Sequence, residues 1–188
     1  MKIFLDLDGV LVDWSGGLCK LMNIDPMCDE AQRILKMDKA ISGWKFGSVE
    51  NVERKVNEAG YDFWYNLELT PWAYNLLHLC EQYSPVYFLT SPGPFHAAGH
   101  AKLDYIEKHF RSTNTIITKH KEICAGPRYV LIDDLKRNIT EWEHHGGIPF
   151  HWPCQWELRK NPDLLESTLS NLEQLLKTTT QIPMEFSS

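Results

Sequence analysis

The chain opens with MKIFLDLDGVLVD, an apolar run that closes on two carboxylates and a glycine. Asp6 and Asp8 lie two positions apart, so a regular strand points both to one side. There they repel each other unless a cation lies between them. The first strand therefore predicts a charged site at its carboxyl end. Three more runs share its form: 85–90 (PVYFLT), 114–118 (NTIIT) and 129–133 (YVLID). Each is a short apolar stretch ending on a polar or charged residue, as buried parallel strands do. Helical stretches at 94–110 and 136–145 separate them, a fifth strand is expected at 148–151 after Gly146-Gly147, and leucines at helical spacing predict a closing helix over 163–177. The tail from Thr178 is expected to fray. Strand alternating with helix predicts an α/β fold, a doubly wound parallel sheet covered on both faces.

Residues 15–70 break the alternation. They carry helical patterns around 17–22, 29–37 and 49–59, with aromatic residues between them and no convincing strand. The simplest division is a core of residues 1–14 and 71–188 with a small helical cap, 15–70, inserted after the first strand. A chain of 188 residues with 43% hydrophobic and 23% charged content has room for one such core and a small insertion. The net charge of −6 argues against a broad basic nucleic-acid surface, although local positive charge can still hold a small anion. Cys19, Cys28, Cys80, Cys124 and Cys154 are odd in number with no close pair, which fits reduced thiols rather than a disulfide framework. The first apolar run stops at Leu5, too short for a signal sequence, and no run approaches the ~20 residues of a membrane span. A cytoplasmic protein is expected.

In an open parallel sheet the ligand site lies at the carboxyl ends of the strands. Here those ends carry Asp6 and Asp8, then Thr90 and Ser91, then Lys119 and Lys121 just past the third strand, then Asp133 and Asp134. Carboxylates suit magnesium, which usually keeps waters and a substrate phosphate in its shell. A lysine and hydroxyls beside such a metal would bind the remaining phosphate oxygens.

These residues resemble the haloacid dehalogenase superfamily of phosphotransferases, whose motifs are an Asp-x-Asp strand end, a Thr or Ser strand end, a Lys and an acidic pair. The likeness spans residue 2 to about residue 151. DLDGVLVDW, FWYNLELTP, YFLTSP, KHKEIC and VLIDD further resemble the pyrimidine-type 5'-deoxyribonucleotidases of that superfamily. The resemblance implies a Rossmann-like core and a magnesium-dependent 5'-nucleotidase acting through an aspartyl phosphate. It makes Asp6 the nucleophile and Asp8 the acid and base. Thr90 and Lys121 would hold the phosphoryl group. Asp6, the Asp8 carbonyl and Asp134 would bind Mg2+, with Asp133 behind them orienting the lysine or a metal-bound water. Lys121 matches the family lysine, but two extra residues separate it from the acidic pair, so Lys119 stays in contention. Trp14 falls where those nucleotidases place an aromatic beside the base, and Trp44, Phe46, Trp64 and Tyr65 are candidates for the rest of the pocket or for the cap's own core. Ser91 either contacts the phosphate or caps a helix.

Competing readings are a phosphatase for another small ester or a nucleic-acid 3'-phosphate, and a receiver-type phosphoacceptor switch. A receiver, however, carries its acceptor on a middle strand. Asp13 reads as a helix N-cap. His144, His145, His151 and Cys154 match no zinc spacing and read as surface or satisfied groups. The expected partner is a small-molecule nucleotide, with no membrane and no extended nucleic-acid surface; a homodimer stays open.

Overall fold

The computed structural model describes residues 1–25 and 49–181. Five strands, β1 (Lys2–Leu5), β2 (Val86–Thr90), β3 (Thr115–Ile117), β4 (Tyr129–Asp133) and β5 (Ile148–His151), form one parallel sheet in the order β3-β2-β1-β4-β5. The helices among the described residues are α1 (Trp14–Leu21), α2 (Val49–Tyr65), α3 (Ala73–Glu81), α4 (Ala98–Phe110), α5 (Lys136–His144), α6 (Gln155–Lys160) and α7 (Pro162–Gln181), with one 3-10 turn at Lys121–Cys124. None is long and apolar enough to cross a membrane. No disulfide joins the cysteines among the described residues.

Strand alternation divides the core into two layers, one on each face of the sheet. Ile3, Leu5, Val86, Phe88, Val130 and Ile132 face a large layer with Leu76 of α3, Tyr105 of α4, and Leu172 and Leu176 of α7. Phe4, Leu89 and Leu131 face a smaller one closed by Trp142 of α5. The leucine spacing of α7 is therefore core packing. The sheet grows from β1 through β2 to β3, then the chain crosses to the other side of β1 to add β4 and β5. Crevices form at the carboxyl ends of strands where the order reverses in this way.

Helix α4 starts at Ala98, not at 94, because Gly93 (φ +59) makes a turn there first. The expected fraying from Thr178 is not found over 178–181, and the rest of the tail lies outside the described residues. Thr178, Thr179 and Thr180 donate their hydroxyls to the carbonyls of Gln174, Leu175 and Leu176, and the helix runs on to Gln181. Sequence reading left α3 and α6 unassigned. The pattern at 49–59 extends to Tyr65 across a break at Gly60 (φ +61, ψ −140), a conformation open essentially to glycine alone. The helix expected at 29–37 lies outside the described residues.

Both ends of the 15–70 segment leave the core side by side. Val12 bridges Leu69, the Asp13 amide donates to the Glu68 carbonyl, and the Thr70 amide donates to the Leu11 carbonyl. The Thr70 hydroxyl and the Trp72 indole both donate to the Val10 carbonyl. The loop that follows β1 is thereby fixed from behind.

Candidate functional site

Four strand ends converge. Asp6 follows β1, and its Oδ1 accepts the Leu7 amide at 2.8 Å and the Lys121 ammonium at 2.7 Å. Lys121, from the 3-10 turn, also donates to Asp133 Oδ2 at 2.6 Å. Lys119 is exposed, so burial against two carboxylates selects Lys121 of the two lysines. Asp133 uses both oxygens on protein donors: Leu135 N and Asn138 Nδ2 reach Oδ1, and Lys121 and Asn138 Nδ2 reach Oδ2. It is a brace for the lysine. Asp134 stands beside it, close to the loop after β1. A Cβ on Gly9 would lie 2.1 Å from Asp134 Oδ2, and Gly9 has φ +77, so glycine is needed here both for conformation and for close approach.

Thr90, fully buried at the end of β2, accepts from a residue that sequence reading missed. Lys102 of α4, 2% exposed, donates to Asp8 Oδ2 at 2.5 Å, Thr90 Oγ1 at 3.2 Å and the Ser91 carbonyl at 2.6 Å. Asp6 and Asp8, which looked like two anions sharing one cation, thus each have a lysine. Ser91 caps no helix: its Oγ accepts the Gly93 amide at 3.1 Å within a turn. Asp13 does cap α1, accepting the Gly16 amide at 2.7 Å, and also binds Arg159 of α6 at 2.9 Å.

Aromatic residues border the site on the 15–70 side. Trp14 stacks on Trp64 with centroids 6.5 Å apart, and the Trp64 ring lies 4.8 Å from the Lys102 ammonium. Tyr65 instead meets Tyr61 and Lys108, away from the carboxylates. Trp44 and Phe46 lie outside the described residues. His144 and His145 are exposed, and His151 Nε2 lies 3.0 Å from the Asp134 carbonyl oxygen.

Burial, the leading cause, pushes the Asp6 carboxyl up to about 7; Lys121 opposes this, while Asp133 and Asp8 add to it. Asp134 is driven well above the ordinary range by burial and then by Asp6 and Asp133. Lys121 is held above its usual value by Asp6 and Asp133 although burial opposes them. The four carboxylates Asp6, Asp8, Asp133 and Asp134 face two ammonium groups, leaving a formal excess of two negative charges. Asp6, Asp133 and Asp134 each offer an oxygen within 4.8 Å of the others. This is a hard-oxygen donor set short of positive charge, and it fits a divalent cation.

A fold of this kind appears among solved structures. A haloacid dehalogenase-like family hydrolase from Streptococcus pneumoniae aligns with TM-score 0.50 and 18% identity over 80% of this chain and 83% of its own. The chain has the haloacid dehalogenase-like fold. A predicted HAD-like family hydrolase from Porphyromonas gingivalis aligns over 82% of this chain and 91% of its own at 16% identity, with a TM-score of 0.33. No protein-family model and no curated protein matches the sequence.

The raised carboxyls give a pH-dependent prediction. A carboxyl whose folded pKa lies above its unfolded value lends most stability at low pH and loses it as pH rises through the folded pKa. The metal-free protein should therefore lose stability between pH 4 and about 7 on account of Asp6, with Asp134 acting in the same direction. Mg2+ should reverse this. At ~100 times its Kd a ligand adds ~2.7 kcal/mol, a rise of roughly 5–10 °C for a chain of this size. Melting curves should show that rise at pH 8 and a much smaller one at pH 5, where protons compete. An equal rise at both pH values, or none in wild type, would refute a cation site at these carboxylates.

Proposed function

We propose that the chain is a magnesium-dependent phosphomonoesterase of the haloacid dehalogenase superfamily, acting on nucleoside 5'-monophosphates with a preference for deoxyribonucleotides. The observation that carries this reading is Asp6. It is a buried carboxylate at the end of the central strand, held by Lys121 and grouped with Asp134.

Asp6, Asp134 and the Asp8 backbone carbonyl are the groups that would hold Mg2+, and the cation would offset charge on the phosphoryl oxygens. An oxygen of Asp6 attacks phosphorus, and the ester bond to the sugar oxygen breaks. Asp8 gives its proton to that leaving oxygen, and an aspartyl phosphate remains. Asp8 then takes a proton from water as the water oxygen attacks phosphorus and the acyl-phosphate bond breaks, which releases inorganic phosphate and restores Asp6. Thr90 and Lys121 hold the phosphoryl oxygens through both steps. In the same reading residues 15–70 form a cap over the substrate, and Trp14 stacks on the base, a contact worth ~1–3 kcal/mol.

The test is phosphate release over a panel of ribo- and deoxyribonucleoside monophosphates and sugar phosphates, with and without Mg2+. Deoxyribonucleotides should turn over fastest, and chelation should stop the reaction. Rapid hydrolysis of sugar phosphates beside inert nucleotides would remove the nucleotidase assignment and leave a phosphatase of another specificity.

A further inference from the structure

Lys102 has no place in the motifs that led to the site, yet it is as buried as Lys121 and lies on the other side of the carboxylates. Three protein oxygens take its donors: Asp8 Oδ2, the Ser91 carbonyl and Thr90 Oγ1. A lysine with all its donors on protein has none left for a phosphate oxygen. What it does instead is set directions. Lys102 holds only one oxygen of Asp8, while Asp8 Oδ1 is buried and has no hydrogen-bond partner. A buried polar atom left without a partner costs stability and calls for an explanation, such as a missing reactant. Thr90 Oγ1 accepts from Lys102, so its own proton must point to another acceptor.

The face of Trp64 lies 4.8 Å from the ammonium. Trp64 sits on α2, which is fastened to α4 and to the turn that precedes it. Asn57 Oδ1 accepts the His96 amide at 3.1 Å, the Tyr61 hydroxyl donates to Asp104 at 2.8 Å, and Trp64 meets Phe95 with ring centroids 5.2 Å apart. An aromatic face over a desolvated ammonium attracts it and excludes water. Trp14 stacks on the same indole, so one packed series runs from Trp14 through Trp64 and Lys102 to Asp8.

We propose that Lys102 is a positioning residue that orients the Asp8 carboxyl with Oδ1 free to meet the leaving oxygen and turns the Thr90 hydroxyl toward the phosphoryl group, and that Trp64 holds Lys102 in that place. The inference rests on the phosphomonoesterase reading above. Its signature is a dependence on the leaving group. An alkoxide must receive a proton as it departs, whereas a thiolate leaves readily without one, as the lower pKa of thiols implies. A group that serves only to position the proton donor matters for the first and little for the second.

The experiment uses the full chain and two substrates: the nucleoside 5'-monophosphate that wild type hydrolyses fastest, and its analogue with sulfur in place of the bridging 5' oxygen. Base, sugar and phosphoryl group are unchanged between them. Single-turnover cleavage is followed for wild type, Lys102→Met, Lys102→Arg, Trp64→Leu and Trp64→Phe. Lys102→Met should slow the oxygen ester by ~100-fold or more, the range of a lost general acid, and the sulfur ester by less than ~10-fold. Trp64→Leu should show the same inequality at smaller size, with KM little changed. Trp64→Phe, which keeps an aromatic face, should restore most of the rate.

Equal losses on both esters would overturn the proposal, because a purely structural or phosphate-holding lysine acts on both alike. So would a Trp64→Leu effect confined to KM, the mark of a simple base contact. If Lys102→Met does not fold, Lys102→Arg and the two Trp64 variants decide between the same outcomes. A wild type inert on every phosphate ester removes the phosphatase reading and takes this inference with it, whereas active wild type with unselective variants removes the positioning role alone.

Discussion

Asp6→Asn should lower phosphate release by on the order of 10^5-fold, the scale of loss when a covalent nucleophile is removed. The amide cannot attack phosphorus, and no neighbour can take over. Lys121 and Asn138 engage Asp133, Lys102 holds Asp8, and Asp134 forms no ion pair among the described residues that would orient it for attack. The fold should survive. An asparagine oxygen can still accept the Leu7 amide and Lys121, and Lys121 keeps Asp133. The variant also lacks a carboxyl that resists ionisation up to about pH 7, so in metal-free buffer at pH 8 it should melt no lower than wild type, and its melting temperature should depend less on pH. Loss of activity with an unchanged or raised melting temperature separates a chemical role from a structural one. Substantial turnover by Asp6→Asn would sink the covalent route.

How far the sequence foretold this arrangement varies from element to element. Strands β1, β2 and β4 were legible because a strand covered on both faces must be apolar at nearly every position, and the first polar residue at the end of each run marks the sheet edge; the edge strands β3 and β5 were legible from their short apolar runs, β5 also from the Gly146-Gly147 turn before it. That rule placed Asp6, Thr90 and Asp133 correctly in space without any knowledge of the packing. The choice between Lys119 and Lys121 was not legible from strand ends, because both follow β3; the 3-10 turn decides it by rotating Lys121 inward. Lys102 was not singled out in the sequence. The available signal was its position. Ala98, Ala101, Tyr105 and Ile106 form the buried face of α4, and Lys102 falls among them, where an unpartnered ammonium would be very costly. Helix α3 carried a comparable signal in Ala73, Leu76, Leu77 and Cys80. The Asp13–Arg159 pair joins residues 146 positions apart and has no local signature at all.

Lys121→Met should be severely damaging to stability, and the reason lies in what it leaves behind. Met matches the lysine stem closely, so the cavity term is small and the loss is electrostatic. Asp6 and Asp133 would keep their burial and lose the only cation that touches both among the described residues. Breaking a buried pair from one side typically costs 3–5 kcal/mol, or roughly 6–20 °C of melting temperature in a chain of this length. Asp6 can escape part of that cost by taking up a proton, so the deficit should be larger at pH 8 than at pH 5, and Mg2+ should recover some of it. Removing one of the two anions should recover more. Asp6→Asn should therefore raise the melting temperature of Lys121→Met by more than it raises that of wild type, an excess that additive single effects would not produce. Lys119→Met supplies the contrast. That lysine is exposed, and its loss should change stability by no more than about 0.5 kcal/mol. Near-equal melting curves for the two methionine variants would mean that Lys121 is not the charge on which the Asp6 site is built.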